Sequence, residues 1–152
     1  MSLAIALHVL SVVVWVGGMF FAHQALRPAA VEVLEPPLRL PLWVATFKRF
    51  FPWVWLAIGL ILVSGYWMIF KFGGFGNLPL YIHVMNGLGL VMMAIFMHVF
   101  FAPYKRLKRA VNDQDWPAGA KQLATIRLMV GINTILGLLT IAIATGGRYL
   151  IH

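Results

Sequence analysis

The sequence has no cysteine and few charged residues, and both absences restrict what the protein can be. Without a thiol, the chain can form no disulfide, no thiolate metal site and no covalent c-type haem attachment. Charged residues make up only 11% of the 152 residues, and four of them are acidic. Soluble domains carry roughly 25% charged residues. The composition, 62% apolar with a mean hydropathy of +0.89, therefore predicts an integral membrane protein.

Four long segments contain no charged side chain, apart from histidines in two of them. These segments are 1–26, 50–70, 72–104 and 128–147. Each is long enough to cross a bilayer, which requires about 20 apolar residues in a helix. The apolar runs are continuous rather than alternating, which excludes a barrel of the porin type. We therefore predict an all-α integral membrane protein, a four-transmembrane-helix bundle that forms one domain over residues 1–152. The predicted helices are about 3–25, 49–70, 80–102 and 119–147.

The basic residues predict the topology. Ten of the twelve follow the first or the third span, and only Lys71 and Arg148 lie elsewhere. The positive-inside rule places both long loops in the cytoplasm and both termini in the periplasm of a bacterium, so we expect an inner-membrane protein. The net charge of +8 then reflects topology and anionic membrane lipid, and no nucleic acid partner is expected. The loop 26–48 contains four prolines and is predicted to be broken.

Four of the five histidines lie in the predicted spans, in two matched pairs. His8 and His83 lie at similar depth near one membrane face, and His23 and His98 near the other, because the first and third spans run in the same direction. The two levels are 15 residues apart, or about 22 Å. Ionisable residues inside a membrane mark functional sites by default. Since a bis-His b-type haem needs one imidazole on either side, the spacing predicts two haems. The fifth histidine, His152, is terminal and is assigned no role.

Small and basic residues near these histidines support the haem hypothesis. A macrocycle needs close approach of the helix backbones, which small residues allow. The candidate glycines are Gly17, Gly18 and Gly87. Haem propionates need cations at the membrane edge. The candidates are Arg27, Lys48 and Arg49 at one end of the bundle and Arg148 at the other.

Methionines crowd the third span and favour a different ligand. Thioethers combined with imidazoles suit Cu(I). The candidate copper ligands are Met85 with His83, and Met97 with His98. Methionine is also an ordinary filler of apolar packing, and intramembrane histidine can simply hydrogen-bond between helices. A copper site, and a bundle with purely structural histidines, are therefore alternatives to haem.

Several segments resemble the copper resistance protein D (CopD) family. The most specific feature is the motif of His8, Trp15, Gly17 and Gly18 in the first span. The similar segments are Leu7–Phe21, Arg49–Met68, His83–Val111 and Val130–Leu150. Longer members of that family are linked to copper uptake across the inner membrane, and this chain is similar to the small, single-bundle type. The first span also resembles that of the HemJ type of protoporphyrinogen oxidase, which binds haem through a histidine matching His8. The resemblance implies a haem or copper context.

These observations predict a b-type cytochrome that carries electrons between the quinone pool and a periplasmic redox partner. Such a protein would be a membrane oxidoreductase with two bis-His haems. The first alternative is a copper-binding or copper-transport membrane protein, and the second is a haem-dependent porphyrinogen oxidase. The expected partners are membrane lipid, quinone, a periplasmic redox protein and, for so small a bundle, a second copy of the chain.

Overall fold

The computed structural model describes residues 1–150, and the chain within this range is helical apart from short turns. The α-helices are α1 Ser2–Phe21, α2 Arg27–Val33, α3 Pro36–Lys71, α4 Leu80–Phe101, α5 Pro103–Asn112 and α6 Trp116–Leu150. A π-helical turn, Ala22–Leu26, joins α1 to α2, and a 3-10 turn, Phe75–Asn77, lies between α3 and α4. The predicted all-α class is confirmed. His152 lies outside the described residues.

Within the described range, four helical stretches are long and apolar enough to cross a membrane. They are Ser2–Val33, Pro36–Lys71, Leu80–Asn112 and Trp116–Tyr149. Large apolar side chains cover the outside of the bundle, as Leu3, Val63 and Phe70 illustrate. Such a surface fits lipid, and helices satisfy their own backbone hydrogen bonds there. The four predicted spans are therefore present, and the first three extend well beyond their predicted bounds at one end.

The prediction of a broken loop over residues 26–48 is wrong. Only Leu34 and Glu35 leave the helical conformation in this segment. Pro36 lies in the first turn of α3, where the missing N–H would have no partner inside the helix. Pro28 follows the π-helical turn that joins α2 to α1 without a break. Glu35 is extended, with ψ 159°, as expected for a residue that precedes proline. Proline is therefore tolerated within this helical segment, and only two residues separate α2 from α3.

The basic segment after α4 is also mostly helical. α5 buries Tyr104 and Leu107 and exposes Lys105 and Arg106 on its other side. The next helix, α6, begins at Trp116 and is capped by Asp115, whose carboxylate accepts from the Ala118 N–H (3.2 Å).

The helices pack as two antiparallel hairpins. α1 packs chiefly on α3, α4 packs chiefly on α6, and α1 also contacts α6. An aromatic cluster joins the hairpins near α5, with Phe51 stacked on Phe47 (4.9 Å between ring centroids) and edge-on to Phe96 (5.3 Å) and Tyr104 (4.9 Å). Within the part of the chain that the structure describes, cavities lie between the helices, and three of them concern the site.

Candidate functional site

The largest cavity lies in the half of the bundle that holds the N-terminus, and we call it the His8 cavity. Its volume is about 320 Å³, and α1, α3, α4 and α6 all contribute to its mainly apolar wall. One imidazole and four thioethers line it. These side chains are His8, Met68, Met85, Met92 and Met93. Asn86 and Thr140 add polar atoms to the same wall, and the Thr140 hydroxyl lies 4.0 Å from the Met92 sulfur.

The orientation of His8 is fixed by α3. Its Nδ1 lies 3.1 Å from the Ser64 hydroxyl oxygen, and its ring packs against the backbone at Gly65, where a Cβ would come within 3.2 Å of it. Ser64 donates its only hydroxyl hydrogen to the Leu60 carbonyl. While it donates there, the hydroxyl can only accept from His8, and in that tautomer Nδ1 carries the ring proton and Nε2 presents a free lone pair. Neutral imidazole with a free Nε2 is a metal ligand.

A much smaller cavity of about 20 Å³ continues the His8 cavity toward α5, and we call it the middle cavity. Trp15 lines both cavities, and Met19 and Met129 add two further thioethers to the middle one. Asn133 also lines it and donates its amide to the Met92 carbonyl (3.2 Å), while its Oδ1 is buried without a partner among the described residues. Two thioether side chains and one amide with an unpartnered oxygen therefore line this cavity.

A third cavity of about 180 Å³ lies between α2, α3 and α6, and we call it the His23 cavity. The His23 ring packs against α6, because a Cβ on Gly131 would lie 2.9 Å from His23 Nε2. Three arginines from three helices line the same cavity: Arg27, Arg39 and Arg127. Clustered guanidinium groups disfavour a bound cation, so the His23 cavity differs in its chemistry from the His8 cavity.

The other two intramembrane histidines lie on the surface of the bundle. His83 is exposed beside Phe75 (5.9 Å between ring centroids), and His98 is exposed near the end of α4. Neither is among the described residues that line a cavity. Each predicted pair thus has one member inside the bundle and one on its surface. His8 faces α3, and His23 faces α6. The bis-His pairing stays a prediction.

The remaining predicted site residues are spread over the bundle. Gly18 packs against the Phe50 ring, whereas Gly17 and Gly87 face open space. Lys48, Arg49, Arg148 and Met97 are exposed and line none of the cavities, in contrast to Arg27 and Met85.

Sequence reasoning missed Ser64, Met68 and Arg39. Ser64 is the only serine in the uncharged run 50–70, and that isolation was the available signal. Met68 and Arg39 had no such signal in the sequence, because their roles depend on which helices become neighbours. Within the described residues, no group of three or more His, Asp or Glu could hold a metal.

The family model for copper resistance protein D matches residues 44–146, about two thirds of the chain. The matched range contains α4, α5 and most of α3 and α6, with five of the six cavity-lining methionines, and leaves out α1. No curated protein and no solved structure matches the chain.

Proposed function

Because the chain belongs to the copper resistance protein D family, we propose that this multi-pass membrane protein binds Cu(I) in the His8 cavity. The observation that carries the proposal is the lining of that cavity, which combines one imidazole with four thioethers. Cu(I) is a soft cation that prefers sulfur and imidazole ligands. Hard cations such as Mg²⁺ or Ca²⁺ need carboxylates, and no Asp or Glu is among the described residues lining this cavity.

In this proposal His8 supplies the fixed ligand and the methionines supply adaptable ones. Ser64 holds the His8 ring so that Nε2 is available to the metal. Methionine side chains are flexible, so Met85, Met92 and Met93 can adjust to the ion. The apolar wall would keep competing water ligands away from the ion.

The charge of the His23 cavity favours copper binding over copper transport. Met19 and Met129 in the middle cavity could hold Cu(I) one step deeper. Beyond them, Arg27, Arg39 and Arg127 place three positive charges at the other end of the bundle. Coulomb repulsion opposes passage of a cation to that side even when a single anion is bound among the arginines, because three positive charges exceed one negative charge. We therefore favour copper sequestration or delivery on one membrane face over permeation.

The distribution of basic residues supports a periplasmic position for the His8 cavity. Ten of the twelve Lys and Arg residues lie at the end of the bundle opposite the termini. The positive-inside rule then places the termini and the His8 cavity toward the periplasm of a bacterial inner membrane. Copper resistance proteins that work at this face would meet copper before it enters the cytoplasm.

Cu(I) competition on the purified protein tests the proposal. The detergent-solubilised chain is titrated against a chromogenic Cu(I) chelator under reducing conditions, with metal counted per chain. We expect wild-type protein to bind copper, His8→Ala to weaken binding by roughly tenfold or more, and His98→Ala to leave it unchanged. Equal affinity in wild type and His8→Ala would overturn the assignment of the site.

Haem is the second candidate, because His8 could bind its iron. Metal-bound imidazoles characteristically donate their other N–H to a neighbour, and Ser64 lies in position to accept from His8 Nδ1. A haem held there would supply one-electron chemistry with quinone, or support porphyrinogen oxidation. His8 is the only imidazole among the described residues lining the cavity, so a second protein ligand to the iron would come from a methionine of the same wall.

An absorption spectrum separates the two candidates. Purified protein is recorded oxidised and then reduced by dithionite. A colourless protein that binds Cu(I) supports the copper proposal and dismisses both haem-dependent functions. A Soret band with b-type α and β peaks that disappears in His8→Ala would replace copper by haem at the same cavity.

A further inference from the structure

The His23 cavity has the charge and shape of an anion site rather than of a metal site. Arg27 comes from α2, Arg39 from α3 and Arg127 from α6, so three separate helices direct guanidinium-bearing side chains to one space of about 180 Å³. An isolated guanidinium in or near the hydrocarbon is costly, and such groups are normally paired.

The chain itself does not supply the pairing charge. It has four acidic residues, and all of them are exposed. They are Glu32, Glu35, Asp113 and Asp115. None is among the described residues that line the His23 cavity. No acidic side chain among the described residues therefore faces these arginines in the cavity, which leaves the site open to an anion from outside the chain.

The sequence around the arginines indicates how deep in the membrane the His23 cavity lies. Arg27 directly follows the uncharged run 1–26, and Arg127 directly precedes the uncharged run 128–147. The second run has 20 residues and spans about 30 Å, which is the thickness of the hydrocarbon core. Both arginines therefore lie at the boundary between hydrocarbon and headgroups.

The rest of the wall is apolar. Trp43, Phe47, Leu123 and Ile126 face the same space as the arginines. Arg39 is oriented by the helix break, because its Nη1 donates to the Leu34 carbonyl (3.4 Å) at the end of α2. The cavity thus combines a fixed cationic rim with an apolar pocket, which complements a molecule with an anionic head and a hydrocarbon tail.

We propose that the His23 cavity binds an anionic phospholipid, whose phosphate is held by Arg27, Arg39 and Arg127 and whose acyl chain lies against Trp43 and Phe47. Guanidinium groups bind phosphate oxygens in pairs of parallel hydrogen bonds. Basic pockets between transmembrane helices bind lipid headgroups in this way. The bound lipid would stabilise the packing of α2 and the start of α3 against α6.

Native mass spectrometry of the full chain tests this proposal. The protein is released from micelles containing phosphatidylglycerol or the zwitterionic phosphatidylcholine. We expect one phosphatidylglycerol to remain bound and phosphatidylcholine to be lost. Arg39→Gln should weaken retention roughly fivefold, and the triple change of Arg27, Arg39 and Arg127 to Gln roughly a hundredfold. The matched control changes Lys105, Arg106 and Arg109 of α5 to Gln, because they are exposed and line none of the cavities.

Ala124→Trp gives a second route if the triple variant does not fold. Ala124 is exposed and lines the cavity, so an indole there would fill the acyl pocket while all three arginines remain. Loss of phosphatidylglycerol from Ala124→Trp supports the proposal. Equal loss of phosphatidylglycerol from the α5 control would show that general surface charge retains the lipid, and this result would overturn the site. Displacement of the lipid by millimolar inorganic phosphate would show that the cavity recognises free phosphate instead of a lipid.

Discussion

The hydroxyl of Ser64 lies 3.1 Å from Nδ1 of His8 and connects that ring to α3. The same hydroxyl donates to the Leu60 carbonyl of its own helix. A serine that is 4% exposed thus links a helix backbone to an imidazole on the cavity wall. While Ser64 donates to Leu60, its hydroxyl can only accept from His8, which favours the tautomer with the proton on Nδ1.

Ser64→Ala should lower Cu(I) affinity while leaving the fold intact. Loss of such an orienting group typically reduces metal affinity by roughly 10–100-fold, and we expect a decrease of about tenfold in the chelator competition. Ser11→Ala is the matched control, because Ser11 is also buried but donates only to the Leu7 carbonyl of its own helix. Equal affinities in the two variants would mean that Ser64 does not orient a ligand.

The methionines of α4 should affect Cu(I) binding only where they line the His8 cavity. Met92→Leu and Met93→Leu conserve volume and remove a thioether from the His8 cavity. Each should weaken Cu(I) binding, and together by about tenfold or more. Met97→Leu should have no effect, because Met97 is 43% exposed and lies outside all three cavities. A loss of affinity in Met97→Leu equal to that in Met93→Leu would instead point to a site on the bundle surface.

The absence of charge over long runs predicted the four spans. A charged side chain is costly to bury in lipid, so transmembrane segments exclude it, whereas soluble domains seldom contain about 20 consecutive uncharged residues. Proline was a poorer guide over 26–48, where it suggested a loop. Pro36 and Pro37 lie in the first turn of α3, Pro28 follows a π-helical turn without a break, and Pro41 is accommodated within α3. The effect of a proline on a helix depends on its position within that helix, and amino-acid composition alone does not give the position.

The histidines show that helical periodicity does not predict which helices become neighbours. Their spacing along the first span indicated that His8 and His23 lie within about 60° of each other around the helix axis, but not which helices they face. α1 packs on α3 and α6, so the partner of His8 is Ser64 and the neighbour of His23 is Gly131. Helix neighbours are a tertiary property, and the matched spacing of His83 and His98 did not determine it.

Asn133 should tolerate an apolar replacement better than a charged one. Its amide links α6 to the Met92 carbonyl of α4, but its Oδ1 is buried without a partner among the described residues. Interhelical hydrogen bonds in membranes contribute on average about 0.6 kcal/mol. Asn133→Leu should therefore change the free energy of unfolding in a detergent titration by less than about 1 kcal/mol, since it removes both the bond and the unsatisfied oxygen.

Asn133→Asp provides the contrast, because it places a carboxylate where only apolar groups and two thioethers surround it. Burial of an unpaired charge is strongly unfavourable, so we expect destabilisation of several kcal/mol. If Asn133→Leu proved as damaging as Asn133→Asp, the amide would be a structural requirement of the bundle, and a partner for Oδ1 would have to exist.

Gly17 and Gly18 should respond in opposite ways to alanine although they are adjacent. A Cβ on Gly18 would collide with the Phe50 ring, which packs against the core, whereas a Cβ on Gly17 would meet no atom within 4 Å. Gly18→Ala should cost about 1–3 kcal/mol of unfolding free energy through overpacking between α1 and α3. Gly17→Ala should be neutral or stabilising by up to about 1 kcal/mol, because alanine is the better helix former. Phe50→Ala combined with Gly18→Ala makes the steric origin testable, since removing the ring should make the added methyl harmless. Additive losses in that double variant would contradict the collision and would assign Gly18 a role other than close helix contact.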